Sequence, residues 1–173
     1  LKRGHSARAS ARRARGFSLI ELLVVVALVG LLAGIALIAT GVAGVERTLE
    51  REARRMAQAL NLACERAVLS GRDQGLHLAA ARYGFSVQGA ELWQINRDGP
   101  LAPHQLASGL VLRVPGLAPD EQPEVDWGDQ PDVLCFSSGE LTPFELALST
   151  ADGRSVYLLR GSFDGRIDVR RGP

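Results

Sequence analysis

The stretch Arg15-Gly16-Phe17-Ser18-Leu19-Ile20-Glu21-Leu22-Leu23 places one acid inside the opening of a long apolar run. From Leu22 to Ala39 no side chain is charged or strongly polar. As a helix, about 18 such residues cover about 27 Å, close to the hydrocarbon thickness of a bilayer. Thr40 to Val45 extends the run. A carboxylate costs roughly 2.5 to 3.5 kcal/mol at mid-bilayer and less near the interface, so Glu21 either stays wet among the headgroups or has a partner and a function.

The residues before this run have the opposite character. Lys2, Arg3, Arg8, Arg12, Arg13 and Arg15 are basic, with no acid among them. Basic flanks stay in the cytoplasm, which predicts an amino end facing in and the bulk of the chain outside. A cleaved secretory signal also starts basic, but its apolar core is shorter, lacks a glutamate and ends at small residues. Six of the 20 basic residues precede Phe17, which leaves 14 against 19 acids, a net charge of −5 for the remainder. That balance gives no general attraction to nucleic acid.

From Glu46 to Ser70 the pattern becomes amphipathic. Leu49, Ala53, Met56, Leu60, Ala63 and Ala67 recur at steps of three and four, with Arg and Glu on the other face. This predicts a helix continuing out of the apolar run, its stripe packed on a globular domain. Glu50 and Arg54 are spaced to pair, and Gly71 is a plausible stop. Beyond Gly71 period-two alternation and turn residues predict short strands. Leu76 to Ala81 is followed by a turn at Arg82-Tyr83-Gly84 and then Phe85 to Val87. Further strands are expected at Glu91 to Ile95, Leu110 to Val114, Val133 to Phe136, Phe144 to Ser149, Ser155 to Arg160 and Arg166 to Arg170. Ala151-Asp152-Gly153 forms a hairpin turn between two of them. The fold class is α+β: a long amino-terminal helix packed on an antiparallel β-sheet or β-sandwich.

No constellation supports catalysis, and no cofactor or metal is expected. His5 belongs to the basic start, His77 to a strand and His104 to a Pro-flanked loop, none at metal-ligand spacing. Ser137 and Ser138 before Gly139 read as a turn, not a nucleophile. Cys64 lies on or beside the helix stripe and Cys135 in a strand, so the two could meet where helix packs on sheet; a disulfide and two separate buried thiols are both open readings, since sequence does not fix their separation. Asp120, Glu121, Glu124, Asp126, Asp129 and Asp132 crowd a Pro-containing segment without calcium-loop spacing, and a solvated loop is expected. Gly30 and Gly34 make a Gly-x-x-x-Gly pair that permits close helix approach.

Gly16-Phe17-Ser18-Leu19-Ile20-Glu21-Leu22 resembles the type IV pilin processing motif. The resemblance implies cleavage after Gly16 by a membrane-embedded prepilin peptidase and methylation of the new Phe17 amine. It also implies that Glu21 pairs with the Phe17 amine of a neighbouring subunit during assembly. The organisation that follows is a leader over 1–16, a membrane and filament-core helix over 17–45, an amphipathic helix over 46–70 and a β-rich periplasmic domain over 71–173. Phe136-Ser137-Ser138-Gly139-Glu140-Leu141-Thr142-Pro143-Phe144 and the later Gly161-Ser162-Phe163-Asp164-Gly165-Arg166-Ile167 resemble the GspH/FimT group of minor pilins.

Within that group the H-type minor pseudopilin of type II secretion is the first expectation: a single-pass inner-membrane protein, amino end cytoplasmic, near the tip of a periplasmic pseudopilus. The partners implied are other minor pseudopilins, the major pseudopilin, prepilin peptidase and the inner-membrane secretion platform. The alternative is a FimT-like minor pilin that binds DNA through a Gly-Arg-x-Arg motif. Here the matching stretch is Gly165-Arg166-Ile167-Asp168, where an acid replaces the second arginine and would repel phosphate.

Overall fold

In the computed structural model the described residues are 19–118, 121–123 and 130–172, less the side chains of 33–43. Gly16, Phe17, Asp120, Glu124, Asp126 and Asp129 lie outside them, and at Gly34 only the helical backbone is described. The chain divides after Gly41 into two units, of which Val42–Pro173 carries the globular fold. Helix α1 runs Leu19–Ser70. Among the described residues no helix is long and apolar enough to cross a membrane. The expected Leu22 to Ala39 span runs into residues whose side chains are outside that description.

In the second unit the amphipathic stripe of α1 is the spine of the core. Leu49, Ala53, Met56, Leu60, Ala63 and Ala67 are each 1% exposed or less, and Ala57 and Ala59 widen the buried face. Burying a side chain such as Leu60 or Met56 contributes about 1.5 to 3 kcal/mol, so this stripe is a principal attachment of helix to sheet. The helix stops at Gly71, whose φ of 64° is the left-handed conformation that ends helices at little cost to glycine.

Among the described residues nine strands follow, in two antiparallel sheets. β1 (Gln74–Ala79), β2 (Arg82–Gln88), β3 (Trp93–Ile95) and β6 (Val133–Cys135) form one sheet in the order β3-β2-β1-β6, with β4 (His104–Gln105) also paired to β2. The second sheet is β5-β7-β8-β9, built from Leu110–Arg113, Phe144–Thr150, Val156–Gly161 and Ile167–Arg171. Leu76 and Leu78 of β1, Tyr83 and Phe85 of β2, Leu112 of β5, Leu146 and Leu148 of β7 and Leu159 of β8 join the helix stripe in one apolar cluster.

The first hairpin differs from the sequence expectation. Its turn falls at Ala80-Ala81, and Arg82, Tyr83 and Gly84 lie inside β2, with Ala79 opposite Arg82 and Leu78 opposite Tyr83. Opposite residues share a face, so Tyr83 and Phe85 extend the buried side of Leu76 and Leu78, and that burial fixes the register. The turn carbonyls are satisfied from elsewhere: Leu112 N–H donates to Ala80 at 2.8 Å and Leu106 N–H to Ala81 at 2.9 Å. The other face of β1 is covered too. A side chain at Gly75 would come within 2.1 Å of Pro131 Cγ, so only glycine fits beneath that segment.

The short segment between the sheets carries most of its own hydrogen bonds. Gly139 N–H donates to the Phe136 carbonyl, and Thr142 N–H to the Leu134 carbonyl at 2.9 Å. Leu141 is fully buried and forms an isolated bridge with Cys135. Ser137 and Ser138 sit in this turn, the first donating its backbone N–H to Asp73 Oδ1 at 2.7 Å.

Candidate functional site

The first described stretch of α1 presents apolar side chains to solvent on every side. Leu19 is 83% exposed, and Ile20, Leu22, Leu23, Val24, Val25, Val26, Leu28, Val29, Leu31 and Leu32 are exposed as well. A contiguous apolar surface of this kind marks a protein or membrane interaction site. Glu21 is the acid of its first turn, where the positive end of the helix dipole favours a carboxylate. Gly30 has nothing within 4 Å of the position a Cβ would take, so that part of the helix is open to close approach. Gly16 and Phe17, the other two residues of the expected processing and assembly site, are outside the described residues.

Cys64 of α1 and Cys135 of β6 are joined by a disulfide, with Cα atoms 4.9 Å apart. It sits beside the buried Ala63 and Leu141, tying helix to sheet across 71 residues of sequence. A second tie corrects the expectation for His104. This histidine lies in β4 opposite Tyr83, and its Nε2 meets Glu52 Oε2 of the helix at 2.8 Å. A two-residue strand has no periodicity to read, and Glu52 is remote in sequence, so neither pattern nor spacing announced the pair. The Tyr83 ring packs edge-on to His104 at 5.3 Å. Burial pushes the Tyr83 hydroxyl up to about 12; nearby Arg55 opposes the rise and Glu52 adds to it. A third tie is an ion pair between Glu46 and Arg171 of β9.

His77 and Ser86 are bonded at 2.8 Å on the covered face of the first sheet. Both are almost wholly buried, and the serine has no exposed surface from which to attack a substrate. Asp132 belongs beside them and not in the solvated acidic loop. Its Oδ2 accepts the Leu78 N–H at 2.7 Å, and burial pushes its carboxyl above the usual range against the opposing pull of that bond and of His77. Glu121, by contrast, accepts the Ala118 N–H at the surface.

The arginines near the carboxyl end each carry an acid. Arg166 meets Asp164 at 3.2 Å, Arg170 meets Asp168 at 3.5 Å, and Arg160 meets Glu145 at 2.7 Å. Locally balanced charges attract a phosphate backbone weakly, which removes support from the DNA-binding alternative.

A long helix laid across two antiparallel sheets, with a bare apolar helical stretch bearing one acid, defines a pilin-like fold. The comparisons agree with it. The prokaryotic N-terminal methylation motif matches residues 11–37, and the family of type II transport protein GspH matches residues 52–165. Type II secretion system protein H of Pseudomonas aeruginosa is 34% identical over 171 residues, covering 92% of this chain and 99% of that relative. The Escherichia coli protein of the same name is 31% identical over 144 residues, covering 79% and 82% of the two chains.

Among solved structures, the crystal structure of the Vibrio cholerae minor pseudopilin EpsH superposes with a TM-score of 0.62 at 27% identity, covering 75% of this chain and 98% of that one. The solution structure of Escherichia coli GspH, at 23% identity and a TM-score of 0.60, shares the fold; it covers 73% of this chain and 90% of that one. This chain belongs to the GspH family of type II transport proteins. It is a minor pseudopilin of type II secretion, a structural component anchored to a membrane and acting with other pseudopilins.

Proposed function

We propose that the chain is cut after Gly16, methylated on Phe17 and assembled near the tip of the periplasmic pseudopilus. There it links other minor pseudopilins to the shaft of major pseudopilin. Residues 1–16 are the leader, 17–45 the membrane and filament-core helix, 46–70 its amphipathic continuation and 71–173 the periplasmic domain. Prepilin peptidase and the inner-membrane secretion platform act on the subunit while its amino end faces the cytoplasm and a single span holds it in the inner membrane. The observation that carries this reading is Glu21, an acid in the first turn of an otherwise apolar and exposed helical stretch, within the region matched by the methylation motif.

In an apolar surround, a carboxylate and an ammonium attract far more strongly than in water, and each stabilises the charge of the other. The Phe17 amine of a neighbouring subunit thus gives Glu21 its partner during assembly, while the bare helices pack together and the domains stay outside. Glu21→Ala is expected to leave the protein in the membrane but reduce its incorporation into the pseudopilus, and secretion with it, by at least tenfold, a loss of roughly 1.4 kcal/mol or more. Incorporation and secretion at wild-type levels would contradict the pairing. Mass determination of the mature protein checks the processing step: an amino terminus other than methylated Phe17 counts against it.

A further inference from the structure

Just beyond the apolar run the acids and arginines of α1 are treated differently. Glu46 is bonded to Arg171, Glu50 to Arg54 and Glu52 to His104, so every carboxylate of the stretch from Glu46 to Glu52 is engaged. Arg47 and Arg51 meet no carboxylate among the described residues. Arg51 donates instead to the Arg47 carbonyl at 3.3 Å and to Thr48 Oγ1 at 3.0 Å. Both are exposed, and with Gly44, Glu50 and Arg54 they line an open concavity. Their helical spacing sets them opposite the buried Leu49, Ala53 and Met56. The result is a cationic face on a mature chain whose net charge is otherwise acidic.

We propose that Arg47 and Arg51 seat the phosphate of an anionic phospholipid in the periplasmic leaflet, while Arg54 of the same concavity stays paired with Glu50. The inference rests on the membrane-anchored reading of residues 17–45. Arg47 follows Val45, the last residue of the apolar run, by two positions, and Val45 is itself 46% exposed. With the run in hydrocarbon, the next turn of chain lies in the headgroup layer. Guanidinium forks match phosphate oxygens in pairs, and their aliphatic stems tolerate the apolar boundary. Arginines on the outer flank of a span run against the usual inside bias of positive charge, and a phosphate ligand supplies the reason for them. An acidic surface on another pseudopilin is the competing occupant. It is the weaker choice because headgroups are within reach of every unassembled subunit, whereas a protein neighbour is present only in the filament.

The test uses the full mature chain in neutral detergent micelles, followed by native mass spectrometry during titration with phosphatidylglycerol, phosphatidylcholine or inorganic phosphate. Phosphatidylglycerol is expected to be retained about tenfold better than phosphatidylcholine, and about tenfold less by the double variant Arg47→Gln, Arg51→Gln. Far-ultraviolet circular dichroism of the variant should match that of the wild type, because both side chains lie on the exposed face. Equal retention of the two lipids, or of phosphatidylglycerol by the two proteins, overturns the proposal. So does displacement of lipid by an equal concentration of inorganic phosphate, which would leave a simple anion site. Loss of co-purifying pseudopilins from the variant with its lipid preference intact assigns the face to a protein partner instead. Alkaline carbonate extraction of wild-type membranes separates the two levels: release of the protein defeats the anchor reading itself, whereas retention without lipid preference defeats only the phosphate seat.

Discussion

Two stretches of one helix share a 3.6-residue period and are covered very differently. Between Leu19 and Leu32 apolar side chains face every direction and stay exposed, 83% at Leu19 and 66% at Leu32. Between Leu49 and Ala67 they gather on one face, whose central stripe of Leu49, Ala53, Met56, Leu60, Ala63 and Ala67 is 0 to 1% exposed. A striped helix needs one apolar surface, and the subunit's own sheets provide it. A helix apolar all round needs an apolar surround, which only a membrane or a bundle of other helices provides. The first stretch is therefore built to be completed from outside the subunit, and the second to be complete within it.

That contrast can be broken at the covered stretch first. Replacing both cysteines, Cys64→Ser with Cys135→Ser, removes a link across 71 residues, which chain entropy values at about 4 kcal/mol. Urea unfolding under oxidising conditions measures it, and a loss below about 1 kcal/mol would mean that the bridge adds little to the packing around it.

Next comes a matched pair of truncations. Leu60→Ala, at 1% exposure, should lower stability by about 3 kcal/mol, while Leu28→Ala, at 54%, should leave the domain's unfolding curve within about 0.5 kcal/mol of wild type. Equal effects would erase the distinction between the stretches.

A subtler probe is Tyr83, which faces the covered helix. Its folded value of about 12 lies above the ordinary 10.0, so the neutral form is the one the fold favours. Stability from this group is complete below pH 10 and is lost as pH rises towards about 12, by roughly 2 kcal/mol. Absorbance at 295 nm should show a phenol ionising near 12, and Tyr83→Phe should flatten the alkaline loss. The smallest effect belongs to the exposed side of the same stretch. Glu50→Gln weakens the 2.8 Å pair with Arg54 and should cost about 0.3 to 0.5 kcal/mol, in a salt-dependent manner.

The parts of this architecture legible in the sequence are those governed by local period. The stripe from Leu49 to Ala67 was readable because a single face had to be covered, and Gly71 because a helix must end. Strands β5 to β9 were readable from alternation bounded by glycine and proline. The turn at Ala80-Ala81 was not, since alanine carries no turn signature and the register was set by burial of Tyr83 and Phe85. The pairs Glu52 with His104 and Glu46 with Arg171 join residues remote in sequence, and Asp132 looked like one more acid in an acidic loop until β1 was laid beside it. The amino-terminal segment matched by the methylation motif, residues 11–37, was legible for a different reason: its signal lies in residues close together in the sequence and needs no fold to bring them near each other.

The disulfide has a mechanical meaning. In the filament assembly proposed above, load reaches the subunit through its helix, and peeling the helix from its sheet is the easy mode of failure under such load. Cys64 and Cys135 replace that soft joint with a covalent one, so force arriving along α1 passes directly into β6. The first hairpin, which lies between the two cysteines in sequence, is bypassed and carries little of that load.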